Sequence, residues 1–271
     1  MRRVLPILVV YKCQMKDSAA YQSVIQKNGF REWVVYDNSP ADYVQQEPLP
    51  SCVHYCRDVE NGGLSIAYNY GAKVAEQLGY EWVLLLDQDT SFPSGAIEAY
   101  IRAIDEGSRW LLAPQVVLDS GDAFSPARTT LFRTCPVRLA EGIYSLHDYS
   151  VINSGCCIPL SLYKAAGGYN ERVRLDFSDY QFQRRLKAVE PRFSLLPVVL
   201  VQDFSNNEQD VQRLMMRYLL YLHSARNCEH DGWKDRMTFQ IQLFKHTLAL
   251  SLRTHSLKFL ANYIKKYLFK L

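Results

Sequence analysis

The chain has 271 residues, of which 48% are hydrophobic and 22% charged, and its formal net charge is +3. This balance is ordinary for a globular protein, and the length fits one large domain or a domain with an appendage. The longest apolar runs are too short to cross a bilayer. The seven cysteines are odd in number and lack the spacing of zinc ligands, so neither a disulfide framework nor a zinc site is predicted.

Charge is distributed unevenly along the chain. Residues 213–271 contain 11 Lys+Arg and three Asp+Glu, a sum of +8, which leaves 20 Lys+Arg and 25 Asp+Glu, a sum of −5, in residues 1–212. An acidic body with a basic tail is not the pattern of a nucleic-acid binder, which carries positive charge across a folded face. The tail therefore needs an explanation of its own.

The N-terminal stretch MRRVLPILVVYK has two arginines before an apolar run, as secretory signal peptides do. It lacks a small-residue cleavage site, and its short apolar run suits a buried strand over residues 4–11. We therefore expect no export signal and a cytoplasmic location.

Short apolar runs then alternate with segments of helical period. The predicted strands are 4–11, 33–36, 51–56, 81–86 and 193–201, and the predicted helices are 18–27, 64–78, 161–166 and 179–187. Residues 109–160 are rich in turns and are expected to form a mixed or antiparallel part, and the chain is predicted to be helical from residue 210 onward. The alternation indicates parallel βαβ units with helices on both faces, which is an α/β fold.

Acidic side chains stand where the predicted strands end. Asp37 follows the second strand, and Asp87 and Asp89 follow the apolar segment WVLLL. Open parallel sheets bind ligands beyond the carboxyl ends of their strands, and residues i and i+2 of an extended segment point to the same side. Two converging carboxylates repel each other unless a cation lies between them, and Mg²⁺ or Mn²⁺ bound to substrate phosphates suits such a pair. The sequence therefore indicates a metal-bound diphosphate at Asp87 and Asp89.

Two other interpretations of this pair stay open. An Asp-x-Asp tripeptide also arises by chance in a chain with this many aspartates. In addition, an apolar strand followed by DxDx[T/S] is typical of phosphatases in which the first aspartate attacks phosphorus and the second acts as acid and base. Such a phosphatase places its nucleophile after the first core strand, whereas several predicted βα units precede Asp87.

Six segments of the chain resemble family 2 glycosyltransferases of the GT-A fold, in the order in which that family carries them. They are YK (11–12), VVYDNSPAD (34–42), ENGGLSIAYNYGA (60–72), EWVLLLDQDT (81–90), NSGCCIPLSLYKAAGGYNE (153–171) and LDFSDYQFQRRL (175–186). The DQDT form is similar to the branch that contains rhamnosyltransferases and galactofuranosyltransferases of bacterial surface polysaccharides. The resemblance spans about residues 4–205. It implies a nucleotide-sugar donor, a GT-A domain over 1–209 and a helical, basic, amphipathic appendage over 210–271.

The resemblance places the nucleobase beside Asp37 and Tyr11. The Asp37 carboxylate would accept a hydrogen bond from the N3–H of uracil or thymine, a role that suits a strong acceptor, and Tyr11 would border the same base. The segment DNSP is alternatively an ordinary Asx turn.

The resemblance also implies that several small or amide side chains contact the nucleotide-sugar. Asn61, Gly62 and Asn69 match the segment in which small residues let the backbone approach the nucleotide. Gly155 lies in a small-residue turn near the donor sugar, next to Cys156 and Cys157, which we interpret as alternate buried positions of a strand. Asp87 would contact both the donor and the metal. Gly62 and Asn69 otherwise fit a turn and the exposed side of a helix.

Asp179 matches the family's catalytic base, a carboxylate that precedes a helix, and Arg185 matches an arginine six residues later. In inverting transfer one base removes the proton of the acceptor hydroxyl, and a metal rather than an acid meets the charge of the leaving diphosphate. Asp176 competes for this role, and Asp179 is alternatively only a helix N-cap. Gln202 stands where many members carry a metal-binding histidine, so the third ligand is open between Asp203 and water.

The basic tail is predicted to form an amphipathic helix. Its apolar face is composed of Leu257, Leu260, Ile264, Tyr267, Leu268 and Leu271, and its polar side of Lys258, Asn262, Lys265 and Lys266. This pattern fits a helix that lies in an anionic membrane interface, which suits a polyprenyl-linked acceptor at the cytoplasmic leaflet. A terminal helix packed on the domain fits it equally well.

The resemblance, together with the Asp87 and Asp89 pair, implies a metal-dependent, inverting glycosyltransferase that uses Mn²⁺ or Mg²⁺. Its donor is expected to be dTDP- or UDP-linked, with rhamnose favoured by the DQDT form, and its acceptor is a hydroxyl of a glycan or a polyprenyl-linked glycan. Capsule or lipopolysaccharide synthesis at the inner face of the cytoplasmic membrane is the expected setting. The non-enzymatic alternative is a GT-A domain that acts as a membrane scaffold, and Gln202 is the feature that favours it.

Overall fold

The computed structural model describes residues 3–129, 134–203 and 210–269. Its strands are β1 Val4–Val10, β2 Trp33–Asp37, β3 Val53–Arg57, β4 Trp82–Asp87, β5 Thr90–Ser91, β6 Leu111–Leu118, β7 Ala123–Ser125, β8 Ala127–Thr129, β9 Thr134–Pro136, β10 Gly142–Ser145, β11 Tyr149–Ser150, β12 Cys157–Pro159 and β13 Arg192–Gln202. Its helices are α1 Gln26–Asn28, α2 Leu64–Gln77, α3 Ala96–Asp105, α4 Leu160–Ala165, α5 Ser178–Val189, α6 Val211–Arg226, α7 Trp233–Arg253 and α8 Lys258–Asn262. A 3-10 turn, Met15–Asp17, and a π-helical turn, Tyr21–Ile25, precede α1. The π-helical segment Tyr263–Leu268 follows α8, and the two together are called the C-terminal helix below.

The first half of the chain forms the parallel ladder β4–β1–β2–β3. Its inner strands are apolar on both sides, which is the composition of strands covered by helices on both faces. Successive residues of β1 accordingly enter different hydrophobic clusters, Ile7 on one face and Leu8 on the other. Parallel pairing also aligns the strand ends, because Val10 pairs with Asp37 and Val9 with Asp87. The predicted βαβ organisation of this half is confirmed.

The second half completes a mixed sheet in the order β10–β13–β6–β12–β4. Strand β12 is antiparallel to both of its neighbours, and β13 is parallel to β6. Cys156 and Cys157 are buried in different clusters, as expected for alternate positions of a strand. The fold is therefore mixed α/β, with a mostly parallel central sheet and a helical C-terminal part, as predicted.

Helix α3 has no counterpart in the sequence prediction, and strand β6 is not predicted individually within the part at 109–160 that is expected to be mixed or antiparallel. Helix α3 carries a clear helical period, since Ile97, Tyr100 and Ile104 are all buried on one side. Strand β6 is less apparent, because Pro114 and Gln115 interrupt its apolar run. Its burial depends on the neighbouring β12 and β13, which are distant in sequence.

The C-terminal helices pack around a third hydrophobic cluster, which includes Tyr218, Leu243 and Phe259. Val173 and Phe177 join this cluster from the segment before α5, so the helices lie against the α/β body. The predicted domain boundary between 209 and 210 borders residues 204–209, outside the described residues, and the division into two domains stays a prediction.

The C-terminal helix packs on the protein through a different face from the predicted one. Phe259 and Tyr263 are its buried residues, whereas Leu257, Ile264 and Leu268 are exposed. Two of the predicted apolar positions, Leu260 and Tyr267, are partly buried, and the lysines at 258, 265 and 266 are exposed. Leu271 lies outside the described residues. Within the described ranges, no helix is both long enough and apolar enough to span a bilayer.

Candidate active site

The two aspartates of the Asp-x-Asp segment lie where β4 leaves the sheet. Asp87 is the last residue of β4, and Thr90 begins β5, which pairs with the end of β13. The Asp203 N–H donates to the Asp89 carbonyl oxygen over 3.0 Å. The buried hydroxyls of Thr90 and Ser154 are 2.6 Å apart. These contacts fix the backbone of the Asp-x-Asp segment against the sheet edge.

Asp87 is a partly buried carboxylate close to other negative charges, and its pKa is raised. Burial, followed by the negative charge of Asp89, raises the pKa of the Asp87 carboxyl to about 6, and the charge of Asp179 adds to the rise. The Tyr68 hydroxyl donates to Asp87 Oδ1 over 2.6 Å and opposes it. Burial also raises the pKa of Asp89. Two carboxylates that are costly to ionise together favour a cation between them.

A divalent cation fits the donor set around this pair. No three His, Cys, Asp or Glu side chains gather as a metal group in the described part of the chain. A third oxygen is nevertheless at hand, because Gln202 Oε1 is buried and without a hydrogen-bond partner among the described residues. Gln202 Nε2 lies 3.4 Å from Asp89 Oδ1. Two carboxylates and an amide oxygen are the hard ligands that Mg²⁺ and Mn²⁺ take in proteins.

One cleft joins Asp87 to the segment that precedes α5. Its wall includes Asp87, Asn153, Asp176, Asp179 and Gln202, and its volume is about 230 Å³. The structure thus brings the predicted metal ligand Asp87 and the predicted base Asp179 to the same space. A cleft with carboxylates on both sides can hold a donor against one wall and an acceptor hydroxyl against the other.

The surroundings of Asp176 and Asp179 distinguish the two candidates for the base. Asp176 Oδ1 accepts from Arg217 over 2.9 Å, and this cation opposes the rise that burial causes in the pKa of Asp176. Asp179 enters none of the ion pairs among the described residues, and burial raises its pKa. Its Oδ1 accepts from the Tyr180 N–H over 2.7 Å. An unpaired carboxylate of raised pKa is the stronger base, which favours Asp179.

The C-terminal helices hold the first turn of α5 in place. Phe177, which precedes the helix, has a φ of 68°, a left-handed conformation that costs a non-glycine residue about 1 kcal/mol or more. Its ring packs against Tyr221 of α6 and Phe239 of α7. Arg184, with a side chain 11% exposed, pairs with Asp231 and, over 2.9 Å, with Asp235. The position of Asp179 therefore depends on residues far along the chain.

Arg185 lies outside the cleft described above. Its guanidinium pairs with Glu229, with Nε 3.1 Å from Oε2, and donates to the Gly168 carbonyl oxygen over 3.1 Å. This arginine ties α5 to the segment between α6 and α7.

Asp37 lies at the end of β2, fully buried. Its carboxylate accepts from the Ser39 N–H over 2.9 Å, from Gln45 Nε2 over 3.0 Å and from the Tyr55 hydroxyl over 2.8 Å. These bonds order the loop after β2, which fits the alternative of an Asx turn. A carboxylate offers about four acceptor positions, so one remains for a base, and that role stays a prediction.

Tyr11 lies at the same sheet edge and is 45% exposed. Its N–H donates to Gln88 Oε1 over 2.7 Å, and Gln88 Nε2 donates back to its carbonyl oxygen over 3.4 Å. Gln88, which lies between Asp87 and Asp89, thus joins the end of β1 to the Asp-x-Asp segment. The exposed ring is available for stacking with a planar ligand.

The glycine pair at the start of α2 is required by protein contacts. Asp58 Oδ2 accepts from the Gly62 N–H over 2.8 Å, and a Cβ on Gly62 would lie 2.6 Å from that oxygen. Gly63 has a φ of 92°, and a Cβ there would lie 2.3 Å from the Arg174 carbonyl oxygen. Asn61, beside them, is exposed and has a φ of 50°. A nucleotide contact at these positions stays a prediction.

Asn69 and Gly155 serve the framework around the cleft. Asn69 Oδ1 accepts from the Tyr163 hydroxyl and the Tyr169 N–H, and its Nδ2 donates to the Tyr169 carbonyl oxygen and to Glu171. Gly155 has a φ of 79°, and a Cβ there would lie 2.5 Å from Leu200 Cδ1. The structure gives both residues packing roles, and donor contacts for them remain untested.

Several residues of the site have no assigned role in the sequence prediction. Tyr68 and Ser154 each lie next to a predicted site residue or one position from it. The Tyr68 hydroxyl donates to Asp87, and Ser154 helps to lower the pKa of that carboxyl. Asn153 lines the cleft and donates to Ser178 over 3.1 Å. No sequence signal marks Arg217, since it reaches Asp176 from a helix about 40 residues later.

Comparison with known families identifies the chain. The sequence profile of glycosyl transferase family 2 matches residues 17–163, which include β2, β4 and the Asp-x-Asp segment. The chain belongs to this family. A search of curated protein sequences finds no significant match.

Solved glycosyltransferase structures share the fold. The crystal structure of S. aureus TarS 1-349 in complex with UDP aligns with a TM-score of 0.52 and 15% identity, over 91% of this chain and 72% of that chain. That of GalNAc-T7 with UDP, GalNAc and Mn²⁺ aligns with a TM-score of 0.55 and 11% identity, over 94% of this chain and 58% of that chain. At such identities the likeness shows the GT-A fold, and the resemblance to family 2 is confirmed.

Proposed function

We propose that this family 2 glycosyltransferase moves a sugar from a nucleoside diphosphate to a hydroxyl of a glycan or a lipid-linked glycan, with inversion at the anomeric carbon. The observation that carries the proposal is the single cleft that contains both Asp87 and Asp179. Inverting transfer needs these two kinds of carboxylate on opposite sides of the reacting carbon, one near the diphosphate and one near the acceptor.

The candidate site residues, in the cleft and beside it, take different roles in this reaction. Asp87, Asp89 and Gln202 would hold Mn²⁺ or Mg²⁺, and a bound cation would neutralise charge on the leaving diphosphate. Tyr68 holds one oxygen of Asp87 in place. Asp179 removes the proton of the acceptor hydroxyl as that oxygen attacks the anomeric carbon. At the other end, the exposed Tyr11 ring stacks on the base and Asp37 accepts from it.

The finer assignment is a dTDP- or UDP-linked donor, with rhamnose as the favoured sugar, used in capsule or lipopolysaccharide synthesis. The acceptor is then a polyprenyl-linked glycan at the cytoplasmic leaflet, with the protein peripheral to that membrane. The DQDT segment supports this branch, and the exposed apolar and basic residues of the C-terminal helix support the membrane setting.

The test is the release of nucleoside diphosphate from a panel of dTDP- and UDP-sugars, with and without Mn²⁺. Wild type should release diphosphate from one donor only when metal is present, and Asp89→Asn should lose this activity. The control is Asp105→Asn, at the exposed end of α3, which should match wild type. Binding of nucleotide without release of diphosphate would favour the scaffold, and release of phosphate from an aryl phosphate would favour the phosphatase.

A further inference from the structure

One side of α7 carries a row of exposed apolar side chains. Trp233, Met237, Phe244, Leu248 and Leu252 are between 41% and 72% exposed. They recur every one or two turns, so they lie on one face of the helix. At 1.5 Å per residue the row extends over about 28 Å. A continuous exposed row of this length indicates a contact surface rather than scattered surface residues.

A second exposed row lies beside it on the C-terminal helix. The rings of Phe244 and Tyr263 are 5.9 Å apart, and Gln240 Nε2 donates to the Tyr267 hydroxyl over 2.6 Å, so this edge of α7 borders that helix. The other side of the C-terminal helix faces α6, where the Lys266 carbonyl oxygen accepts from Arg226.

The exposed apolar residues of the C-terminal helix lie on the side away from α6. Leu257, Ile264 and Leu268 are between 40% and 77% exposed. Tyr263 and Tyr267 face α7, and helical geometry places the exposed apolar side next to these two tyrosines. The exposed side therefore borders the α7 row. The two rows form one surface, called the apolar strip and composed of Trp233, Met237, Phe244, Leu248, Leu252, Leu257, Ile264 and Leu268.

Basic residues outnumber acidic residues around the apolar strip. Residues 236–269 contain no aspartate or glutamate. Their basic residues are all exposed and are Arg236, Lys245, Arg253, Lys258, Lys265 and Lys266. If a second copy packed strip against strip, the two sets of cations would meet, and like charges across an interface are costly. An anionic bilayer instead offers an apolar layer below a negatively charged surface.

We propose that the apolar strip binds the surface of an anionic lipid bilayer. Its apolar side chains enter the boundary between headgroups and acyl chains, and the surrounding lysines and arginines contact acidic headgroups. The surface is the pair α7 and C-terminal helix, rather than the C-terminal helix alone. Since Asp235 at the start of α7 binds Arg184 and Tyr180 of α5, lipid contact would also orient the helix that carries Asp179. The lipid contact rests on the membrane setting of the proposed function and names the surface that would serve it, and the orientation rests on the proposed transfer reaction.

The test is co-sedimentation of the full chain with vesicles of phosphatidylcholine alone, or of phosphatidylcholine and phosphatidylglycerol in equal amounts. We expect binding to the mixed vesicles only, with weakening at high salt. The charge variant Lys258→Gln with Lys265→Gln should bind about 25-fold more weakly, since each cation near an anionic surface contributes about fivefold. The strip variant Leu248→Ser with Leu252→Ser should bind at least about tenfold more weakly.

The matched control is Leu78→Ser with Val189→Ser, two exposed apolar residues at helix ends on the α/β body. It should bind as wild type does, and so should Asp89→Asn, because lipid contact does not depend on catalysis. Far-ultraviolet circular dichroism checks that every variant is folded. Equal binding by the strip variant and wild type would overturn the proposal, as would absence of binding to mixed vesicles. A wild-type dimer that the strip variant dissociates in analytical ultracentrifugation would overturn it in favour of a second copy.

Discussion

The two sides of the cleft are built in different ways. On the donor side, Asp37 and Asp87 end the two strands that flank β1 in a parallel ladder, and pairing with β1 sets their positions. On the acceptor side, Asp176 and Asp179 lie near the start of α5, and the C-terminal helices fix that segment through Arg217 and Asp235. Donor-side geometry therefore follows from the sheet, whereas acceptor-side geometry depends on long-range packing. The C-terminal helices are part of the candidate site.

The largest expected effect separates the two sides by their chemistry. Asp179→Asn should lower kcat for sugar transfer by about 100- to 10,000-fold, the usual contribution of a positioned general base. Binding of the donor nucleotide should be unchanged, because the substitution leaves the donor side intact. The measurements are steady-state kinetics and calorimetric titration with nucleoside diphosphate.

The matched variant for this prediction is Asp176→Asn. Because Arg217 already pairs with Asp176, its loss should reduce kcat much less than the loss of Asp179. A larger loss of kcat in Asp176→Asn than in Asp179→Asn would instead assign the role of base to Asp176.

The next prediction concerns how the acceptor side is held. Arg184→Met should lower the free energy of unfolding by about 2–3 kcal/mol, because it leaves Asp231 and Asp235 without their partly buried cation. Lys164→Met, which breaks the exposed pair with Glu76, should cost less than about 1 kcal/mol. Urea unfolding followed by circular dichroism gives both values. Equal costs would mean that the ion pairs of α5 are no more important than a surface pair.

A third prediction uses the pH dependence of the donor side. The pKa of Asp87 is raised from 3.8 to about 6, so the folded state holds this proton more tightly than the unfolded state does. Ionisation of Asp87 thus destabilises metal-free protein as the pH rises from about 4 to about 6. Near pH 4, Asp87→Asn and wild type should have the same free energy of unfolding. Above pH 6, Asp87→Asn should be the more stable of the two, by at most about 3 kcal/mol.

Urea unfolding of metal-free wild type and Asp87→Asn across this pH range makes the measurement. Asp105→Asn, at the exposed end of α3, is the control. If the difference in free energy of unfolding between Asp87→Asn and wild type did not change with pH, the raised pKa of Asp87 would be contradicted.

The smallest predicted effect tests the support of Asp87. Tyr68→Phe removes the hydroxyl that donates to Asp87 Oδ1 and should raise the Kd for Mn²⁺ about tenfold, the usual result of losing a bond to a metal ligand. Transfer at saturating metal should change little. Tyr100→Phe is the control, because its hydroxyl bonds to the Gly155 carbonyl oxygen instead. Equal Mn²⁺ affinity in wild type and Tyr68→Phe would remove Tyr68 from the site.

The donor half was predictable from sequence because its signals are local. An apolar run ends in a carboxylate at both Asp37 and Asp87, and parallel pairing brings strand ends to one edge. The family resemblance added Asp179, which the structure places in the same cleft as Asp87. Helix α3 carried a local signal as well, in its buried face, although the prediction omits it.

The remaining parts depend on contacts that no local pattern carries. Arg217 reaches Asp176 from a helix whose packing is set by tertiary contacts. Asn69 matches a donor-binding segment, yet its amide bonds to Tyr169 and Glu171 across about 100 residues. The buried face of the C-terminal helix is likewise set by α6 and α7, so its own period did not identify Phe259 and Tyr263 as the buried residues.

The most direct test of the central claim is thermal stabilisation by nucleoside diphosphates. UDP and dTDP are each added with and without Mn²⁺ to wild type, Asp89→Asn and Asp105→Asn. Since a ligand that binds only the folded protein raises the Tm, wild type and Asp105→Asn should show a metal-dependent rise with one nucleotide, and Asp89→Asn should show none. A rise in Asp89→Asn equal to that of wild type, or no rise in wild type at any concentration, would contradict a metal-dependent donor site at the end of β4.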